Sequence, residues 1–190
     1  MNLIETGVVI IGPVGVGKST QGALVAEAIN KQSLSLDTIA NDYYEANGFS
    51  MAYYQKAKKE QGLLEAYRQW WPSLAYAAQQ VVNDYPGHVI DFGAGHSHYD
   101  DEKLFEGVEM ALSDILNVIL LLPSPDLDHS VTVLRERCTK QRGRDWIANG
   151  YDFIEHWVKD ECNHRLATMT IYTEGKTPEE TRNEIVQKLK

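Results

Sequence analysis

The residues best equipped for chemistry lie near the start of the chain, at Gly12-Pro13-Val14-Gly15-Val16-Gly17-Lys18-Ser19-Thr20. They match the phosphate-binding pattern G-x-x-x-x-G-K-[ST], and each residue type has a physical reason to be there. Glycines let the backbone curl closely around a phosphate, while successive N–H groups and a helix N-terminus favour the anion. A lysine placed as Lys18 is reaches β- and γ-phosphates, and a hydroxyl placed as that of Ser19 sits on Mg²⁺. The alternative is a glycine-rich turn with a chance lysine, and the flanks argue against it. Val8-Val9-Ile10-Ile11 is an apolar β-branched run that predicts a buried strand. Beyond the loop, Ala23, Leu24, Ala28 and Ile29 recur at helical spacing. Strand, loop and helix together predict a site for ATP and Mg²⁺.

Two carboxylates could serve that site. Leu34-Ser35-Leu36-Asp37 reads as a second strand ending in an acid, which would bring Asp37 to the rim that carries the loop. There it could contact Mg²⁺ or accept a proton from an acceptor hydroxyl. Equally, it could cap a helix starting at Thr38. Asp91 ends a third strand, Val89-Ile90-Asp91-Phe92, in the manner of an acid that polarises the Mg²⁺ shell, with chance placement as the alternative. Gly93-Ala94-Gly95 follows, where a substrate could approach the backbone closely. His96 and His98 form an H-x-H pair with no third ligand in view, more consistent with a polar loop than with a metal site.

The cations divide by context. Arg68 lies on an apolar-aromatic helix, where it could fork onto a carboxylate or phosphate or stay solvated. Arg135, Arg137, Arg142 and Arg144 form the one dense basic cluster. A helix-surface ion pair suits Arg135 or Arg137, whereas Arg142 and Arg144 flank Gly143 and suit a lid that closes over phosphates.

The elements that must position these residues read as alternating strands and helices. Helical spacing predicts an element from Asp42 to Tyr54 interrupted near Gly48, and a long helix from Leu63 to about Asp84, kinked or restarted at Pro72. Further helices are predicted over Glu102–Leu112, Leu127–Gln141 and Phe153–Leu166. Val118–Leu122 and Met169–Tyr172 read as the fourth and fifth strands. Thr177-Pro178-Glu179-Glu180 carries the cap, first-turn proline and first-turn acids of a final helix. Five strands alternating with helices imply a parallel sheet covered on both faces, with ligands beyond the strands' carboxyl ends.

The whole chain sets outer bounds. Its 190 residues suit a single domain, 43% hydrophobic and 24% charged. A formal net charge of −9 disfavours a protein built to grip nucleic acid. Cys138 and Cys162 lack metal or redox spacing and are expected as reduced thiols. The first strand begins too early to leave room for a signal peptide, and no apolar run is long enough to span a membrane. A cytoplasmic monomer or small homo-oligomer is the expectation.

With these residues assembled, the chain resembles shikimate kinases within the nucleoside-monophosphate-kinase-like P-loop kinases. The likeness runs nearly end to end: the phosphate loop, an acid-ended second strand, an arginine matched by Arg68, the loop Gly93-Ala94-Gly95, and a basic lid. It implies a three-layer α/β fold with sheet order 2-3-1-4-5, a substrate-binding region at about 38–70 and a mobile lid at about 138–152. Three departures stand out. The family's Asp-x-Asp becomes Asp37-Thr38-Ile39, so Ile39 replaces the acid that serves substrate hydroxyls. Its Gly-Gly-Gly becomes Gly93-Ala94-Gly95, and only Lys159 or Arg165 is offered where it has a second substrate arginine. The resemblance therefore implies an ATP-dependent kinase of a small, anionic, hydroxylated acceptor. Lys18, Asp37, Asp91, Arg142 and Arg144 would be catalytic, Ser19 and Asp37 near the metal, and Arg68 with Gly93, Ala94 and Gly95 at the acceptor. Shikimate itself is expected to be a poor substrate that Ile39→Asp would improve. The alternatives are an ATPase without an acceptor and a nucleotide-binding protein without turnover.

Overall fold

The computed structural model describes residues 7–190, the side chain of Arg142 excepted. Its centre is a parallel sheet of β1 (Val8–Ile11), β2 (Ser33–Ser35), β3 (Val89–Asp91), β4 (Val118–Leu122) and β7 (Met169–Tyr172), in the order β2-β3-β1-β4-β7. Counting only these five strands, the order is 2-3-1-4-5. Every residue of β1, β3 and β4 is buried, as expected of Val/Ile/Leu runs with helices on both faces. β1 pairs with β3 on one side and β4 on the other, Ile10 lying opposite both Asp91 and Ile119. The chain thus changes its direction across the sheet at β1, and the loop leaving β1 opens into the crevice this creates.

Around the sheet run α1 (Lys18–Ala28), α2 (Leu36–Ala46), α3 (Met51–Gln61), α4 (Leu63–Asp84), α5 (Glu102–Leu112), α6 (Leu127–Arg142), α7 (Phe153–Lys159), α8 (Glu161–Leu166) and α9 (Pro178–Lys188). The element expected from Asp42 to Tyr54 is two helices, separated where Gly48 takes a φ of 77°. The Ser50 hydroxyl then caps α3 by accepting from Tyr53 N–H. Pro72 leaves α4 continuous, with Tyr67, Trp71, Leu74, Ala78 and Val81 on its buried side. α9 begins with the capping box of Thr177 and Glu180.

Three expectations need correcting. β2 stops at Ser35, so Asp37 is in the first turn of α2 instead of at a strand end, and it is not a cap. Leu36, Ala40 and Tyr44 recur at four-residue spacing and are buried, and that helical face outweighs the short apolar alternation. The helix expected from Phe153 to Leu166 breaks at Asp160, whose carboxylate accepts from Cys162 N–H at 2.7 Å to start α8. Finally, the segment read only as a lid contains a hairpin, β5 (Ile147–Ala148) against β6 (Tyr151–Asp152). Its turn is Asn149-Gly150, with φ of 51° and 79°. Such left-handed pairs match the strand twist, and Asn-Gly is their common sequence.

Candidate functional site

The phosphate loop joins β1 to α1, and its glycines are held open in different ways. At Gly12 a Cβ would stand 2.5 Å from the Leu121 carbonyl oxygen, because the loop presses on β4. Gly17 has no such neighbour but a φ of 104°, which itself selects glycine. Lys18 is 8% exposed and its Nζ donates to the Pro13 carbonyl at 2.8 Å, curling over the loop.

The Ser19 hydroxyl donates to Asp91 Oδ1 at 2.8 Å, and the Ser35 hydroxyl reaches the same oxygen at 3.1 Å. Burial raises the Asp91 pKa, opposed by these two hydroxyls and by Lys18. Asp91 thus ends β3 beneath the start of α1, and Ser19 and Asp91 supply adjacent hard oxygen donors. That donor set fits Mg²⁺ in a water-rich shell.

Asp37 is brought to the same crevice from α2. Its Oδ1 lies 3.7 Å from His96 Nδ1. Gly93 makes this approach possible, since a Cβ there would overlap Asp37 Oδ1 and stand 2.8 Å from His96 Nδ1. His96 is buried, its Nε2 is 2.7 Å from the Tyr44 hydroxyl, and its Nδ1 has no hydrogen-bond partner among the described residues. Burial pushes its pKa down to about 4, which leaves the ring neutral at neutral pH. His98 turns away to pair with Asp160. The two histidines therefore do not form a joint site, and no group of three His, Cys, Asp or Glu among the described residues could hold a metal.

Beside Asp37 and His96 opens a cavity of about 250 Å³. Val14 of the phosphate loop lines it, as do Ala94, Gly95 and Arg144. Its remaining wall is largely aromatic: Tyr54, Tyr67, Trp70, Trp146, Phe153 and Trp157. α4 supplies Tyr67 and Trp70 one turn apart, α7 supplies Phe153 and Trp157 at i, i+4, and the segment before β5 adds Trp146. The hairpin turn reaches back to the start of α4, where Asn149 Nδ2 would be 3.1 Å from a Cβ on Gly62.

The arginines are distributed differently from the expectation. Arg144 lines the cavity with its guanidinium 4.0 Å from the Trp146 ring centre. Arg68 is exposed on α4, 3.8 Å from Asp100, and does not line the cavity. Lys159 pairs with Asp128 and Glu155, and Arg165 with Glu102 and Glu109, so neither lines it. Arg142 ends α6, and its side chain lies outside the described structure. Arg135 does form the surface ion pair foreseen, with Asp152. Arg137 is engaged differently: its Nη1 donates to the Gly15 carbonyl at 3.0 Å, beside a cavity of about 330 Å³ that Thr20 and Lys176 also line.

Ile39 also has a different place. Residues two apart on a helix are rotated by about 200°, so Ile39 does not share the direction of Asp37. It packs against the hydrophobic core and is not part of the cavity wall. Sequence reasoning further missed Arg137, His96 and the aromatic wall. For Arg137 a signal existed in Leu134 and Cys138, an i, i+4 pair that is buried. Their side chains meet the loop at Gly15.

No protein-family model and no curated protein sequence matches the chain. Comparison of the fold with solved structures is informative. The structure titled shikimate kinase from Acinetobacter baumannii in complex with shikimate is similar at a TM-score of 0.62 and 18% identity, covering 98% of each chain. Shikimate kinase from Aquifex aeolicus matches at 0.53 and 19%, over 95% of this chain and 94% of that one. A gluconokinase from Sinorhizobium meliloti matches at 0.50 and 14%, over 98% and 92%. The fold is that of the nucleoside-monophosphate-kinase-like P-loop kinases. Within that class, the neighbours are kinases of small molecules. Among the described residues no helix is long and apolar enough to cross a membrane.

Proposed function

We propose that this chain is an ATP-dependent phosphotransferase that acts on a hydroxyl of a small molecule. The observation that carries the reading is a single cavity lined at once by Val14 of the phosphate loop, by the Asp37 carboxylate and by His96. An acceptor held there would lie beside the loop that binds the triphosphate.

In this reading the backbone of Gly12 to Thr20 cradles the phosphates, and Lys18 swings from the Pro13 carbonyl to meet their charge. Asp37 accepts the proton of the acceptor hydroxyl as its oxygen bonds to the γ-phosphorus. The bond from that phosphorus to the bridging oxygen breaks, and ADP leaves with the electron pair. Ser19, with Asp91 behind it, would hold Mg²⁺, which when bound neutralises phosphate charge. Neutral His96 holds Tyr44. Arg137, bonded to the Gly15 carbonyl, would act from the nucleotide side and Arg144, on the cavity wall, from the acceptor side, with Arg142 between them in sequence. Most of the rate acceleration would then come from positioning and preorganised charge.

The test is ADP release from Mg²⁺·ATP by the full chain, with and without a panel of hydroxylated small molecules. Acceptor-dependent release that Lys18→Ala abolishes supports the reading. Release indifferent to every acceptor would support an ATPase instead.

A further inference from the structure

We infer that the acceptor carries a planar, largely apolar ring with a polar hydrogen-bond acceptor on it, and is not a polyhydroxylated acid. This rests on the phosphotransferase reading and deepens it. Three observations support it, beginning with the wall. Apart from Asp37, His96 and Arg144, the cavity presents rings and aliphatic groups, and its rings come from four separate elements. Tyr67 meets Trp157 at a centroid separation of 6.4 Å and Phe153 at 5.4 Å, while Trp146 meets Trp157 at 5.3 Å. These are edge-on contacts, and a wall of inclined rings offers both faces and edges to a flat guest.

The second observation is unmet hydrogen-bonding capacity within that wall. The indole N–H groups of Trp70 and Trp146 are buried and have no acceptor among the described residues. Buried donors normally find a partner. Both side chains line the cavity, so a guest with a carbonyl or ether oxygen that turns these rings on entry would give the N–H groups an acceptor, whereas a hydroxyl-rich acid would bring many donors to a wall with few acceptors.

The third is strain. Trp146 is held at φ 60°, a region that bulky residues seldom occupy. Its ring carries Arg144 on its face. Strained non-glycine residues gather at ligand-binding positions because the surrounding structure must hold them there. In the proposed complex, the ring of the acceptor packs among Tyr67, Trp70 and Trp146. Its hydroxyl meets Asp37, and the phosphoryl step balances as above, the proton going to that carboxylate.

The experiment uses the full chain with Mg²⁺·ATP and five probes: 4-acetylbenzyl alcohol, its saturated cyclohexyl counterpart, benzyl alcohol, shikimate and gluconate. The expected order in kcat/KM places the acetylbenzyl alcohol at least about tenfold above the saturated analogue, a gap of the size ring stacking can produce. Both acids should fall lower still. Trp146→Phe removes the indole N–H together with the pyrrole ring beneath Arg144, so it should raise KM more for the acetyl probe than for benzyl alcohol, and KM for ATP should not move. Trp70→Leu is compared alongside, normalised to folded protein by its thermal midpoint. If ATP binds, seen as a raised midpoint, and either acid outperforms the aromatic probe or no probe accelerates ADP release, this inference is overturned. If ATP does not bind at all, the phosphotransferase reading beneath it falls instead.

Discussion

Asp91 Oδ1 accepts hydrogen bonds from two serines, Ser19 at 2.8 Å and Ser35 at 3.1 Å. One belongs to the first turn of α1 and the other ends β2, so a single buried carboxylate ties the phosphate loop to the strand that leads into Asp37. Asp91→Asn keeps the shape but removes the charge, and its amide can accept from the serines through only one oxygen. Turnover should fall by about 10²-fold or more, the scale for losing one preorganised charge partner. The fall should be steeper at limiting Mg²⁺. A variant with wild-type kinetics across a Mg²⁺ titration would confine Asp91 to a structural role.

Arg135 and Arg137 sit two residues apart on α6 and should separate cleanly. Arg137 bonds to the Gly15 carbonyl inside the loop, so Arg137→Ala should lower kcat by about tenfold to a thousandfold with little change in thermal midpoint. Arg135 pairs with Asp152 at 40% side-chain exposure, and such partly exposed pairs are worth under about 1 kcal/mol. Arg135→Ala should keep turnover per folded molecule. The reverse pattern would move the nucleotide-side role off Arg137.

Stability should depend on pH through two buried rings. Burial holds His96 and His98 at about 4, below the ordinary histidine value of 6.5. Between those values the unfolded chain binds protons that the folded chain refuses, so stability is lost as pH falls through that window and is flat above it. His96→Asn should lower the midpoint at pH 7.5, since the Tyr44 bond is disturbed, yet flatten the decline from pH 6.5 to 4.5. An unchanged slope would mean that His96 already titrates normally in the folded chain.

How much of this was legible in the sequence differs by element. The phosphate loop and the strands around it were, because a glycine-lysine-serine pattern and unbroken Val/Ile/Leu runs are local signals. Gly48, Gly62 and the Thr177 cap marked helix ends for the same reason. The second strand misled because Leu34-Ser35-Leu36-Asp37 alternates like a strand, while the packing of Leu36, Ala40 and Tyr44 decides for a helix. The aromatic wall was hidden because Tyr67, Trp146 and Trp157 are far apart in the chain and each reads singly as core. Arg68 looked functional by resemblance, and only the orientation of α4 turns it towards Asp100. The hairpin was legible in Asn149-Gly150, but the basic residues before it drew the reading towards a lid.

Shikimate provides the sharpest test of resemblance against residue. The fold is shared with a shikimate kinase at a TM-score of 0.62, but a shared fold does not choose the acceptor. The cavity disfavours it, since among the described residues Arg144 is its one lining arginine, and that guanidinium lies on Trp146. Arg68, Lys159 and Arg165 are engaged with carboxylates elsewhere. Several hydroxyls buried against rings would go unpaired, at about 1–3 kcal/mol each. The expected kcat/KM for shikimate is therefore well below ~10⁴ M⁻¹s⁻¹, the lower end for an enzyme on its own substrate. Ile39→Asp, which a strand reading would offer as a rescue, should not raise it. On a helix that side chain is turned away from Asp37 and packs, partly buried, against the core, where a carboxylate would lose part of its hydration and an apolar contact. The variant should melt lower and phosphorylate shikimate no faster. A clear gain in shikimate turnover with Ile39→Asp would show that the α2 turn presents residue 39 to the acceptor after all.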